Sequence, residues 1–312
     1  MELTLGPKWH STLLTRIFPD RAAVILFALL FMISNAWAMQ YMCAKMIGDH
    51  GLPVFVALLM VHIVVTAFFA VMLVVQDKLF QFTRQHLLFF AVASFIGNVV
   101  SLGVELEVAP HISAGMLTLI IAMAPIFTLL FSLLLRSETV CFRSLCGLAM
   151  GLAATLAILW PTVEIGSNQV FWILLGFVAP ASFGAMSVII WVAWPKDIDA
   201  IQVAFGISFS ALTFLVPLAI VQHRFGNPVA SFEGVAFPLL GFAVSLIAEY
   251  WLFAVLTKRG GAVYASCADF GAIALGLFWA FLFMNEIPTG WMILAAMLAV
   301  SSLLVVQKAR EA

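Results

Sequence analysis

The sequence predicts an all-α integral membrane protein: ten transmembrane helices in two inverted five-helix repeats. Three observations carry that reading. Of 312 residues, 64% are hydrophobic and only 9% are charged, against about 25% charged in a soluble domain. The charges bound ten long apolar runs, and nearly all Lys and Arg fall on alternate connections between those runs.

The runs are residues 22–44, 50–76, 85–104, 108–135, 144–163, 165–195, 200–223, 234–257, 260–285 and 287–307, interrupted only by Glu249 and Asp269. A bilayer-crossing helix needs about 20 apolar residues. Each run therefore has room for one helix, and none comfortably holds two. Lipid offers no partner to backbone polar groups, so the choice is helices or a closed barrel. Barrel strands alternate over about 10 residues; these runs do not alternate. In the first run "NAWA" (35–38) has the small-x-small form of a signal cleavage site. A 21-residue polar-to-basic leader precedes it, and the apolar core is long enough to span, so it is read as a span.

With the N-terminus inside, the cytoplasmic turns collect Lys8, Arg16, Arg21, Lys78, Arg84, Arg136, Arg143, Lys196, Lys258, Arg259, Lys308 and Arg310, leaving Lys45 and Arg224 outside. Positive charge concentrates in cytoplasmic loops, so both termini are expected there. Residues 1–21 form a cytoplasmic N-terminal segment, 22–163 a first repeat, and 164–312 a second repeat ending in a short cytoplasmic tail. An odd number of helices per repeat makes the two insert with opposite orientation. Laying "SAGMLTLIIAMAPIFTLLFSLLLRSE" over "GAVYASCADFGAIALGLFWAFLFMNE" pairs Ala114, Ala124, Leu129, Leu134 and Glu138 with identical residues 148 positions later. Inverted repeats of this kind put a solute site near the midplane.

"NAWAMQYMCAK" in the first run, "SLLLRSE" followed by Gly147 nine residues after Glu138, and "AEYWLFAVLTKRGGAVYAS…FMNEIPTG" in the last three runs together resemble the drug/metabolite transporter superfamily, EamA type. The resemblance covers nearly the whole chain after residue 21. It implies ten helices, an inverted repeat, and export or exchange of small metabolites through a central cavity. The chain departs from the pattern at Met60-Val61-His62, where an Arg is common. It departs again at Ile273, opposite Pro125, and at Ala295, opposite Gly147.

Polar residues inside spans are costly unless they face protein or water. Ser94, Asn98, Ser101 and Glu105 are spaced 4, 3 and 4, one face of an α-helix. Thr118, Pro125 and Ser132 recur every seven residues, and Pro125 should kink its helix and free a carbonyl. Ala268, Ala272, Gly276 and Ala280 form a small-residue track suited to close helix approach. That track turns Asp269 toward protein or a cavity. Glu249 lies nine residues before Lys258, and Asp269 lies ten after Arg259. Both carboxyls are therefore about 14 Å deep, at 1.5 Å per residue.

The candidate substrate-binding set is Trp37, Tyr41, Asn98, Glu105, Thr118, Glu249, Tyr264 and Asp269. Carboxylates and aromatic faces suit an ammonium group. Glu249 and Asp269 are the proton-coupling candidates: two charged carboxylates at one depth would repel, so at least one is expected to be protonated in the empty site. His62, His86 and His111 are read as packing or loop residues, and Cys43, Cys141, Cys146 and Cys267 as packing residues without metal or redox spacing.

The function expected is a secondary transporter exporting a small amine-bearing metabolite such as an amino acid, proton-coupled, in the bacterial inner (plasma) membrane. The alternatives are a membrane-embedded enzyme and a structural or channel bundle. No zinc pair, nucleophile elbow or nucleotide loop supports an enzyme. No catalytic residue, metal or cofactor is expected. The partners are a small-molecule substrate and the lipid bilayer, with room for a homo-oligomer and no nucleic acid. Cysteine labelling should find positions beside Lys78, Arg143, Lys196 and Lys258 on one side of the membrane, and positions beside Asp49, Glu164 and Asn227 on the other. Labelling Lys258 and Glu164 from the same side would break the inverted-repeat reading.

Overall fold

The computed structural model describes residues 21–79, 81–112, 117, 120–138, 141–159, 170–225, 234–284 and 290–311. It is helical, with no strand among the described residues. The helices are α1 Arg21–Asp49, α2 Val54–Val75 and α3 Arg84–Ser94, which continues through a π-helical segment, Phe95–Ser101, into α4 Leu102–Val108. After these come α5 Ala124–Leu134, α6 Phe142–Leu159, α7 Val170–Gly176, α8 Val178–Ala193 and α9 Ala200–Phe225. The chain ends in α10 Ala236–Gly260, α11 Ala262–Ser266, α12 Ala268–Met284 and α13 Gly290–Glu311. Among the described residues seven segments are long and apolar enough to cross a membrane, and three shorter apolar helices accompany them.

The bundle is polar within and apolar without. Phe31, Ile63, Val71, Leu88, Phe171, Leu240 and Met297 are exposed, while Ser34, Gln40, His62, Asn98, Glu105, Glu249 and Asp269 are buried. That is the arrangement expected when lipid, not water, is the outer solvent.

Helix pairing has a regular pattern. The helices α6 and α13 pack together, as do α2 and α9; α1 packs on α10 and α12, and α8 packs on the π segment and on α5. Serine hydroxyls fasten two of these seams. Ser302 Oγ donates to the Gly147 carbonyl at 2.6 Å, and Ser34 Oγ donates to Leu30 O and Ala268 O at 2.8 Å each.

The small-residue track behaves differently from the sequence expectation. The close approach between α1 and α12 occurs at Gly271, whose missing side chain leaves room for the Ser34 hydroxyl, whereas a methyl group on Gly276 would meet nothing within 4 Å. Phe270 is fully buried and packs over Gly151. The closest approach thus falls one residue from the track, although Ala268 and Ala272 of the track are buried as well.

One end of the bundle carries polar links between the N-terminal and C-terminal halves. Lys78 Nζ pairs with Asp199 at 2.7 Å, and Gln202 donates to the Lys78 carbonyl at 2.9 Å. Thr83 and His86 cap α3 reciprocally: Thr83 Oγ1 accepts from the His86 N–H, and His86 Nδ1 accepts from the Thr83 N–H. This sets Nε2 as the nitrogen facing Asp197, at 2.9 Å, and that contact holds the Asp197 carboxyl below the usual carboxylate range. Nearby, the Trp194 indole N–H donates to Ile198 O at 3.0 Å, and Lys258 Nζ lies 4.7 Å over the centre of the Trp194 ring.

A second link joins the halves at Glu138. Its Oε1 accepts from the Ala262 N–H at 2.6 Å and from the Val263 N–H at 3.4 Å, neutralising donors that the start of α11 leaves unpaired. The turn from α10 into α11 is made by Gly261, with φ +82° and ψ 161°, a region essentially reserved for glycine. A Cβ there would also lie 2.7 Å from Glu138 Oε2. Gly261→Ala should therefore destabilise the protein by about 1–3 kcal/mol, read as a lower midpoint in detergent thermal unfolding. Gly276→Ala, which meets nothing, should leave the midpoint unchanged; equal effects would refute this account of the turn.

Candidate functional site

Among the described residues four irregularities interrupt the helices, and residues at or beside each reach one cavity. The π segment ends at Ser101, a turn at Ala122 and Met123 precedes α5, Phe177 separates α7 from α8, and Cys267 separates α11 from α12. The cavity is lined by Ser101, Leu102 and Glu105, by Ile121 and Ala124, by Ala179, Pro180 and Phe183, and by Asp269. Trp37, Gln40 and Tyr41 of α1 and Glu249 of α10 complete the wall. Pro125 occupies the first turn of α5, where its missing N–H costs nothing. The break thus lies just before the proline, and it brings Ile121 and Ala124 to the cavity.

Three acids meet here. Glu105 and Glu249 are 5% exposed and Asp269 is 3% exposed. They are close enough for Glu105 to feel the charge of both others, and Asp269 that of Glu249. The Tyr41 hydroxyl donates to Asp269 Oδ1 at 2.7 Å. The Trp37 and Gln40 side chains line the cavity together with Glu249. Among the described residues, Glu105 Oε1, Glu249 Oε2, Asp269 Oδ2 and Gln40 Oε1 have no hydrogen-bond partner. The cavity leaves about 30 Å³ for water centres, room for roughly two molecules.

Of the residues expected from sequence, Trp37, Tyr41, Glu105, Glu249 and Asp269 thus share one cavity. Asn98 is buried in the π segment, off the cavity lining, and Tyr264, on α11, is buried in the apolar core. Thr118 lies outside the described residues. The four-residue stripe is divided by the π segment, which spreads its members over different neighbours. Ser94 donates to Ala91 O and to Ser210, Ser101 donates to Ala179 O, and Glu105 reaches the cavity. Gln40, Pro180 and Phe183 were not in the expected set; the proline in "APASFGAM" was the available signal. His62 donates through Nδ1 to Leu58 O and accepts the Tyr250 hydroxyl at Nε2, and His111 stacks on Trp172 at 3.7 Å. Among the described residues no group of His, Cys, Asp and Glu is arranged to hold a metal ion.

Tyr41→Phe removes one donor from a buried carboxyl, so it should weaken solute binding or its pH dependence while leaving insertion intact. Cysteines at Ser101 should react with small water-soluble reagents, and cysteines at the outward-facing Leu88 should not. Equal reactivity at the two positions would count against the cavity.

Residues 22–160 match the model of the EamA-like transporter family. A solved structure, titled only as the crystal structure of a protein, is similar at a TM-score of 0.69 and 15% identity, over 91% of this chain and 98% of that one. That likeness bears on the fold alone. No curated protein matches. Residues 22–160 are thus similar to the EamA-like transporter family, and with seven segments long and apolar enough to cross a membrane among its described residues the chain is a multi-pass membrane protein.

Proposed function

We propose that the chain is a secondary transporter that exports a small amine-bearing metabolite, such as an amino acid, in exchange for protons. One observation carries the reading. Three buried carboxyls and an amide oxygen present four unpartnered acceptors to one cavity, and among the described residues no Lys or Arg lines it. Three negative charges in so small a space cannot all persist without partners. Protons satisfy them, and so does an ammonium group, which brings three donors and one positive charge. The Trp37 ring supplies a face for the cation or for its apolar body. Proton and solute then compete for the same acceptors, which is a sufficient basis for exchange.

The mechanism is alternating access between two inverted five-helix repeats of a ten-helix bundle. Helix pairing supports it. Exchanging the first five spans with the second five turns the α1–α10 contact into the contact of α8 with the π segment, and α1–α12 into α8–α5. The α2–α9 and α6–α13 pairs map onto themselves. With both termini cytoplasmic in a bacterial inner membrane, the Lys78–Asp199, His86–Asp197 and Glu138–Ala262 links close the cytoplasmic face. Exposed ion pairs are worth about 0–1 kcal/mol each, weak enough to part when the repeats rock. A cavity with room for about two waters must widen to admit an organic solute, and rocking supplies that space.

The test is amino-acid flux in proteoliposomes across a pH series for wild type, Glu105→Gln, Glu249→Gln and Asp269→Asn. Each variant should insert normally. Wild-type exchange should weaken as pH falls and protons occupy the acceptors, and the variants should lose part or all of that dependence. Wild-type rates and pH profiles in all three variants would sink the mechanism.

A further inference from the structure

Glu249 lines two cavities. One is the central cavity; the other leaves about 20 Å³ for water centres and is bounded by Met186, Val203, Ala204, Tyr250, Phe253 and Ala254. An aromatic cluster stands between them. Trp37 and Phe183 belong to the central wall and Phe253 to the second. Their ring centroids are 5.3 Å apart for Trp37–Phe183, 5.3 Å for Phe183–Phe253 and 5.8 Å for Trp37–Phe253.

The second chamber points toward the end of the bundle closed by residues 194–199. Ile190 and Val203 line it, each three residues from the end of its helix at Ala193 or Ala200, or about 5 Å at 1.5 Å per residue. Glu249 and Tyr250 are the polar residues that line it, and Glu249 Oε2 is unpartnered at 5% exposure. A water needs at least two polar partners and about 10–15 Å³. The chamber meets both conditions for one molecule.

We infer that this chamber is the proton entrance of the transporter: a water held there exchanges the Glu249 proton with the face bearing the 194–199 turn, while solute reaches the same carboxyl from the central cavity. The inference rests on the exchange reading above. The step balances. The Glu249 carboxylic acid gives its proton to the chamber water, leaving a carboxylate and a hydronium ion, and the hydronium leaves toward the turn. The carboxylate then pairs with the solute ammonium in the central cavity, so one positive charge replaces another. The other titratable groups around Glu249 are Glu105, Asp269 and Tyr41 across the central cavity, and His62 behind Tyr250. His62 holds its Nδ1 proton on Leu58 O and accepts from Tyr250, which fixes the ring that lines the chamber. The aromatic cluster keeps solute out of the proton route.

Infrared spectroscopy of the full chain in lipid, after a pH jump, tests this without a known solute. The carboxyl band lost in Glu249→Gln reports that residue. Ala254→Leu, and independently Ala204→Leu from the facing helix, should fill the chamber and abolish the fast response of that band. Ile121→Phe, which narrows the central cavity, should leave it fast. Ile207→Ala enlarges the chamber without crowding it and should speed the response. The inference is overturned if Ile121→Phe slows the band while the chamber variants do not, or if Ile207→Ala has no effect. Amino-acid flux is measured separately: pH-independent flux in the wild type would defeat the exchange reading itself, whatever the infrared result.

Discussion

Lipid cannot hydrogen-bond a peptide group, and the rest of this structure depends on that fact. A span can interrupt its helix only where protein or trapped water covers the released backbone. The π segment at 95–101, the turn at 122–123, and the breaks at Phe177 and Cys267 each have buried residues within or beside them, and each delivers lining residues to one cavity. Departures from ideal helix and polar lining therefore coincide for one reason. The site is where the bundle tolerates imperfect helices.

The same constraint governs side chains. The outer faces carry Phe, Leu, Ile and Val, so association between helices depends on close packing. A few hydroxyl bonds, such as Ser302 to Gly147 and Ser34 to Ala268, reinforce it. Those seams lie deep. The ionic links lie at one end, where water screens them: Lys78–Asp199 is more than a third exposed on both sides. Strong packing along the helices and weak charge pairing at the rim are what the proposed rocking of the two halves requires.

Seven of the spans and the three acids were legible in the sequence because each charge in a sea of apolar residues is conspicuous. Depth was legible too, since Glu249 and Asp269 could be counted from the turn at Lys258 and Arg259. Rotation was not. The spacing of Ser94, Asn98, Ser101 and Glu105 assumes 3.6 residues per turn, and seven π-helical residues from Phe95 to Ser101 break that assumption without any proline or glycine pair to announce it. The Gly276 track pointed one residue away from Gly271 because small residues mark where a helix can approach, and Ser34 on the facing helix decides where it does. Gln40 and Phe183 entered the wall only through the packing of α1 and α8.

A cavity with three carboxyls and no cation among its described lining residues is unusual, because each negative charge raises the cost of the next. The carboxyls are not equivalent. Tyr41 donates to Asp269 Oδ1, while Glu105 Oε1 and Glu249 Oε2 are unpartnered among the described residues. Donors favour the ionised form of whichever acid they touch. Asp269 is thus the acid to which the described residues give a hydroxyl donor. Because that donor comes from α1, whose Trp37 and Gln40 also line the cavity, a small rotation of that helix would change the surroundings of the acids. In a bundle whose α1 packs on both α10 and α12, this links the charge of the site directly to the packing of the two halves.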